Sequence, residues 1–210
     1  MDYSNSNVLR EENLPSPPLF PSIVYQALAQ QIIEECKIVE GLCVDIGSGV
    51  GILGIQLAKL TQLEVLLLDV DRNALIGGLK NAGHFKVKER VSAIRADVHN
   101  LPFKSNSINL MVSRGSIPFW KDHVKAFREI YDTLVRGGKA FIGGGLTKNL
   151  PENIRRELGY RIRQFFNSPR GRQYPPPESW KLDEWLRKAG VVKFEIIQGD
   201  PGKWVKITKS

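Results

Sequence analysis

The sequence predicts an α/β chain, a doubly wound sheet of seven strands that is mostly parallel and ends with one antiparallel strand in a C-terminal hairpin. Short apolar runs alternate with helix-periodic segments from about residue 40 to residue 190. The first run leads into a loop of alternating small residues, Gly47-Ser48-Gly49-Val50-Gly51. Residues 192–198 and 204–208 alternate on either side of Gly199-Asp200-Pro201-Gly202, as the arms of a hairpin do.

Residues 1–20 are polar, carry Pro15, Pro17 and Pro18 and lack periodicity, so they read as a mobile arm. Val24, Ala27, Leu28 and Ile32 then recur at helical spacing to about residue 39, a helix placed either to shield a sheet face or to cover the mouth of a site. Strand one spans 42–46 and its helix 51–60; the continuous apolar run 63–68 reads as a strand buried on both faces and ends at Asp69. Asp71 suits the N-cap of a helix over 72–81. Strand three, 91–96, ends at Asp97, and strand four spans 108–113. Val124, Phe127, Tyr131 and Leu134 stripe a helix over 122–136 that Gly137-Gly138 should stop. Strand five, 139–142, should open into a Gly143-Gly144-Gly145 loop. Ile154, Leu158, Ile162, Phe165 and Phe166 mark a further helix, with Arg155, Arg156, Arg161 and Arg163 on its other faces. After a loop with Pro175 to Pro177, a last helix carries Leu182, Trp185, Leu186 and Ala189 and stops at Gly190. With no repeat and no second core, residues 21–210 read as a single domain.

Composition narrows the function classes. At 210 residues, with 42% apolar and 25% charged residues, the chain fits one globular domain. Cys36 and Cys43 make no metal-ligand spacing and no C-x-x-C, and no metal site is expected; reduced thiols in a cytoplasmic protein are the simplest reading. No basic leader precedes an apolar core, and the uncharged segment 46–58 is too short to span a bilayer, so a soluble, non-exported protein is expected. The net charge of +8 sits mostly in the C-terminal third: thirteen Lys/Arg against seven Asp/Glu over 151–210, and seventeen against fifteen before it. Such a face suits a solvated surface, a nucleic acid or an anionic small molecule.

The chemistry concentrates at the strand ends. Glycines at 47, 49 and 51 let the backbone take positive φ and press against a ligand, with the amides of the following helix start nearby. Asp45 lies within strand one, Asp69 follows strand two and Asp97 follows strand three; in an open parallel sheet those ends converge on one crevice. Asp69 stands where nucleotide-binding sheets place a carboxylate for the ribose hydroxyls. Gly49, Gly51 and Gly54 also satisfy G-x-G-x-x-G, so a nicotinamide dehydrogenase has to be weighed.

These residues resemble the class I S-adenosylmethionine-dependent methyltransferases, closely over about residues 40–145. Val44 to Gly51 is similar to their first motif and Asp69 to the acid after strand two. Ala96-Asp97-Val98, followed by Leu101-Pro102-Phe103 and Ser107 to Leu110, is similar to their adenine-side segment, and Arg128 to Gly138 to the helix before strand five. Val112 to Trp120, with Phe141 to Gly145, resembles a group of small prokaryotic and archaeal methyltransferases. The resemblance implies a Rossmann-like fold and S-adenosyl-L-methionine as cofactor, held by Asp45, Gly47, Ser48, Gly49, Gly51, Asp69, Val70, Asp97, Val98 and Ser113. It divides the domain into a cofactor half, 40–145, and covering elements, 21–39 and 146–190. Physical reasons also disfavour the dehydrogenase. Asp45 would repel a pyrophosphate but suits an α-ammonium, and Asp97 suits the exocyclic amine of adenine.

On the substrate side the resemblance points to Arg114, Ser116, Phe119 and Trp120 just past strand four. His99 and His123 are candidate bases and Tyr25 a residue closing over the cofactor. The aromatic lip at 117–120 favours a small-molecule acceptor; methylation of RNA or protein through the basic C-terminal third is the alternative, and a non-catalytic cofactor-binding protein the third reading. No Asn/Asp-Pro-Pro-aromatic motif for amino groups of bases follows strand four, and neither cysteine sits on a strand-end loop for C5 methylation of pyrimidines.

Overall fold

The structure, a computed structural model, describes residues 20–169, 171–199 and 201–210, with residue 14. The arm expected over residues 1–20 lies almost wholly outside the described residues. Seven strands form one sheet in the order β3-β2-β1-β4-β5-β7-β6. They are β1 (Glu40–Ile46), β2 (Gln62–Asp69), β3 (Val91–Arg95), β4 (Ile108–Arg114), β5 (Leu134–Gly145), β6 (Phe194–Gly199) and β7 (Gly202–Thr208). β1 pairs in parallel with both β2 and β4, and only β7 runs against its neighbours. The chain winds outward from β1 to β3, then returns to the far side of β1 with β4. That reversal opens a crevice at the carboxyl ends of β1 and β4.

Among the described residues there are six α-helices: α1 (Ser22–Cys36), α2 (Ile52–Leu60), α3 (Arg72–His84), α4 (His123–Thr133), α5 (Glu152–Asn167) and α6 (Leu182–Lys188). The period-two alternation of the strands divides the core between two faces. Val44, Ile46, Met111 and Ile142 pack beneath α4 and α6 with Phe127, Ile130 and Leu186. Cys43, Leu110, Val112 and Phe141 pack on the other face with Leu28 and Ile32 of α1 and with Leu53 and Leu57 of α2. Val24 and Ala27 of α1 also meet Ile154, Leu158 and Ile162 of α5 in a third cluster beyond the sheet. One helix thereby joins the sheet face to the elements over the crevice. Glu35 reinforces that anchorage, pairing with Lys148 at 2.7 Å and with Lys206 of β7 at 3.0 Å.

Asp71 caps α3, its Oδ1 accepting from the Asn73 and Ala74 amides at 2.8 and 3.4 Å. Two boundaries differ from the sequence expectation. α4 stops at Thr133 rather than at the glycines, because Leu134 already pairs with Ile108 in the sheet. The register then slips before Leu110 meets Lys139, and Gly137, at φ 78°, sits in that bulge. The three glycines at 143–145 are not a loop but the end of β5, each paired with β7. The hairpin presses on the first and third: a Cβ on Gly143 would lie 2.4 Å from the Lys203 carbonyl oxygen and 2.7 Å from the Trp204 Cα, and one on Gly145 would lie 2.4 Å from the Gly202 Cα, while a Cβ on Gly144 would lie 2.9 Å from the Trp180 ring.

Glycine content therefore has opposite meanings in β5 and α3. Gly143→Ala is expected to destabilise the fold by about 1–3 kcal/mol through backbone overpacking. Gly83→Ala, where an added Cβ meets nothing within 4 Å and φ is ordinary for a helix, should stabilise it by about 0.4–1 kcal/mol. Urea melts of the two variants check both signs.

Candidate functional site

The loop after β1 is held by backbone geometry and one carboxylate. Gly47 and Gly49 take φ of 63° and 53°. A Cβ on Gly47 would come within 2.5 Å of the Ser116 Cβ, so the loop and the segment after β4 approach more closely than any other residue allows. The Ser48 amide donates to the Leu68 carbonyl at 3.1 Å and the Gly51 amide to the Ser48 carbonyl at 2.9 Å. Asp69 completes the clamp: its Oδ2 accepts from the Gly49 amide at 2.8 Å and its Oδ1 from the Asp71 amide at 3.0 Å.

Beside the loop opens a cavity of about 610 Å³. Its floor is Asp45, Gly47, Ser48 and Gly49, and its walls carry Arg114 and Gly115 after β4 with Gly144 and Gly145 of β5. Phe20, Pro21 and Tyr25, at the start of α1, close one side. Leu158, Ile162, Phe165 and Phe166 of α5 close another, and Tyr174, Pro177 and Trp180 a third. Tyr25 of α1 lines the cavity, while Leu28 and Ile32 of the same helix pack on the sheet face.

Asp45 is 2% exposed, and its Oδ2 accepts from the Gly54 amide at 2.9 Å. Burial pushes its carboxyl up to about 7, against that hydrogen bond and with a small contribution from Asp69. Ser48 Oγ and Arg114 Nε are buried with no hydrogen-bond partner among the described residues. Native structures leave few such atoms unmatched, and the Ser48 hydroxyl and the Arg114 Nε–H belong to residues that line the same cavity.

The other residues singled out from sequence are distributed unevenly. Gly51, at φ 76°, precedes α2, and a Cβ there would meet Leu67 at 2.6 Å, so it packs on the sheet rather than facing the cavity. Asp69 and Val70, which is 58% exposed, are not among the residues that line the cavity; Asp69 meets it only through the Gly49 amide. Asp97 is exposed nearby, its carboxyl held low by the His99 backbone N–H and by the His99 ring, whose Nδ1 lies 2.5 Å from Oδ1. Val98 and Ser113 are buried, and Ser113 Oγ bonds Ser116 Oγ at 2.5 Å.

Neither histidine reaches the cavity. His99 Nε2 accepts from the Asp122 amide at 3.1 Å, so with Nδ1 on Asp97 both ring nitrogens are engaged and the ring ties the β3 exit to the start of α4. His123 stacks on Trp185 at 3.9 Å and bonds the Ile117 carbonyl through Nε2 at 3.1 Å; burial lowers its pKa. Trp120 is 7% exposed and packs edge-on against Phe127 at 5.4 Å. A single 3-10 turn, Ile117–Phe119, separates the two fates: it throws Phe119 outward, 66% exposed beside the cavity, and turns Trp120 into the core. Sequence reasoning gave 146–190 only as covering elements and named no individual side chain of α5 or of the Tyr174 to Trp180 segment as part of the site.

A seven-stranded sheet in the order β3-β2-β1-β4-β5-β7-β6 with β7 reversed, a glycine loop after β1 and a cavity beside that loop are the class I methyltransferase type of fold. The comparisons agree. Residues 44–142 match the family described as "Methyltransferase domain". A crystal structure from Methanococcus maripaludis, described as an S-adenosyl-L-methionine-dependent methyltransferase, is similar at 36% identity and a TM-score of 0.76, covering 90% of this chain and 86% of that one. The chain belongs to the S-adenosyl-L-methionine-dependent methyltransferase family.

Haemonchus contortus phosphoethanolamine N-methyltransferase 2, solved with phosphomonomethylethanolamine and S-adenosylhomocysteine, is similar at 26% identity and a TM-score of 0.61, over 81% of this chain and 38% of that one. Rice 2-methyl-6-phytyl-1,4-hydroquinone methyltransferase 1, a chloroplastic protein of Oryza sativa subsp. japonica, is 28% identical over 164 residues, 78% of this chain. The chain spans 44% of that relative's length. Among the described residues no helix is long and apolar enough to cross a membrane.

The buried Asp45 sets a pH dependence. Its folded-state value of about 7 lies above the ordinary 3.8, so its favourable contribution is complete below pH 3.8 and is lost as pH rises to about 7, while the unfolded chain ionises and the folded chain does not. Compared with Asp45→Asn, the wild type should lose about 1.4 kcal/mol per pH unit inside that window and run parallel to the variant above it. Denaturant melts across the range check the sign.

Proposed function

We propose that the protein transfers a methyl group from S-adenosyl-L-methionine to a small, apolar-bodied acceptor by direct in-line displacement. The observation that carries this reading is the continuity of one cavity from the glycine loop to a wall of aromatic side chains. The loop residues fit the cofactor: Gly47 and Gly49 present backbone without Cβ atoms, and Ser48 Oγ is a buried hydroxyl that a ligand can satisfy. Asp45 faces the α-ammonium, Asp69 the ribose hydroxyls and Asp97 the adenine amine. Exposed Val70 offers the purine an apolar seat, while buried Val98 and Ser113 shape the site from behind.

When bound, the cofactor supplies a methyl group on a sulfonium: the acceptor's electron pair forms the new bond to carbon as the carbon–sulfur pair returns to sulfur. The chain's own task is orientation, and good alignment supplies about 7–11 kcal/mol of a barrier. α1 and α5 exclude water from the crevice. No histidine lines the cavity among the described residues, and Asp45 is its one carboxylate. Asp45 is engaged with the cofactor in this reading, so the acceptor reacts through an atom that is already a lone-pair donor or loses its proton to solvent.

The RNA or protein alternative rests on the basic C-terminal third, where among the described residues five of the thirteen Lys/Arg pair closely with local acids and the excess of basic over acidic residues remains. Arg156, Arg161, Arg187, Lys188 and Lys206 pair with Glu152, Glu157, Asp183, Glu184 and Glu195 at 2.6 to 2.9 Å. A deep aromatic cavity favours the small acceptor.

Asp69→Ala should weaken S-adenosylhomocysteine binding by about 1.5–3 kcal/mol in calorimetry through loss of charge-assisted bonds. NAD should show no binding heat to either form. With labelled donor and fractionated cell extract, label should enter the small-molecule fraction; label in RNA or protein overturns the acceptor assignment.

A further inference from the structure

Two arginines line the cavity, and they are not equivalent. Arg161 is exposed on α5 and paired with Glu157 at 2.6 Å. Arg114, at the carboxyl end of β4, has no carboxylate partner among the described residues. Its guanidinium lies between two rings, 4.3 Å from the centroid of Phe20 and 5.0 Å from that of Tyr25. Nη2 donates to the Gly145 carbonyl at 3.2 Å, and Tyr25 supplies a further hydrogen bond. Those contacts hold the group in place and satisfy its faces. They do not neutralise it, and Nε–H, one of five donors on the fork, is shut away from solvent without an acceptor among the described residues.

A buried cation with no counter-ion is costly, and the cost falls when an anion enters. The planar fork matches an oxygen anion, and the rings that immobilise it reduce the entropy lost on binding. The rest of the wall is apolar and aromatic: Phe119 and Tyr174 meet at 5.2 Å, with Phe165, Phe166 and Trp180 around them. Flat ring systems fit such a lining.

We propose that Arg114 is the specificity-determining residue of the acceptor pocket, selecting a flat apolar molecule that carries an anionic oxygen group. This rests on the reading of the cavity as a methyl-transfer site. The absence of a lining histidine accords with it, because an acceptor that arrives ionised needs no base, and a neighbouring guanidinium favours the ionised form of a phenol, enol or acid.

A matched pair of fluorescent probes tests the proposal on the S-adenosylhomocysteine-loaded protein: anilinonaphthalene sulfonate, which is apolar and anionic, and N-phenylnaphthylamine, the same skeleton without the sulfonate. The sulfonate should bind about tenfold or more tightly than the neutral probe, the range a charge-assisted hydrogen bond provides. Arg114→Met should bring the two affinities to parity while leaving the neutral probe and S-adenosylhomocysteine affinities unchanged, and Arg161→Gln should keep the wild-type ratio. If the Met variant does not fold, Arg114→Lys carries the test, with a reduced ratio and an unchanged neutral probe.

Equal affinities in the wild type overturn the proposal. So does a ratio that survives loss of Arg114, a ratio that moves with Arg161, or an equal loss of both probes, which is the signature of a purely structural clamp. Failure of the wild type to bind S-adenosylhomocysteine defeats the methyl-transfer reading itself. Binding of that ligand without probe discrimination defeats only the role of Arg114.

Discussion

The site depends on the position of β1, paired in register with β2 on one side and β4 on the other. Because the chain reverses its winding direction across β1, no helix crosses the gap at that strand's carboxyl end, and the exits of β1 and β4 stay open to each other. Every later feature answers to that gap. The glycine loop folds into it, and Asp69 reaches across from β2 to bond the Gly49 amide. Ser116 approaches Gly47 so closely that a Cβ there would lie 2.5 Å from its own. A side chain at position 47 would push the β4 segment away and separate the two halves of the cavity.

The gap is also where the protein accepts unfavourable electrostatics. Asp45 is a carboxyl in the core, with its pKa raised to about 7 by burial. Among the described residues Arg114 is a buried cation without an acid, and Ser48 Oγ a buried hydroxyl without a partner. None of these improves the stability of the free fold. Their concentration around one cavity contrasts with pairs such as Arg156–Glu152 and Arg187–Asp183, which are exposed on α5 and α6 away from the lining.

Much of the framework was legible because it rests on local chemistry. Asp71 reads as a cap and is one, since an acceptor one turn before a helix has few other roles. The acids at 45, 69 and 97 stand at or just past strand ends as their spacing implied. The errors fell where long-range pairing overrides local preference. Gly137-Gly138 looked like a helix stop, yet Leu134 is claimed by Ile108 and the glycines become a bulge. Gly143 to Gly145 looked like a loop, yet β7 lies against all three. No residue near 143 indicates that Lys203 and Trp204 will press there.

By itself the sequence determined the winding of the sheet, the glycine loop and its acids, because alternating periodicity and turn chemistry act within a few residues of one another; the family entered as a resemblance carried by those motifs. The tertiary structure decided what stands around the acceptor space. One 3-10 turn separates Phe119 at the cavity from Trp120 in the core, and both histidines are tied into helix packing rather than aimed at a substrate. The ring clamp on Arg114 comes from Phe20 and Tyr25, roughly ninety positions away. Such choices depend on which surfaces meet after the chain has closed, and sequence spacing holds no record of that.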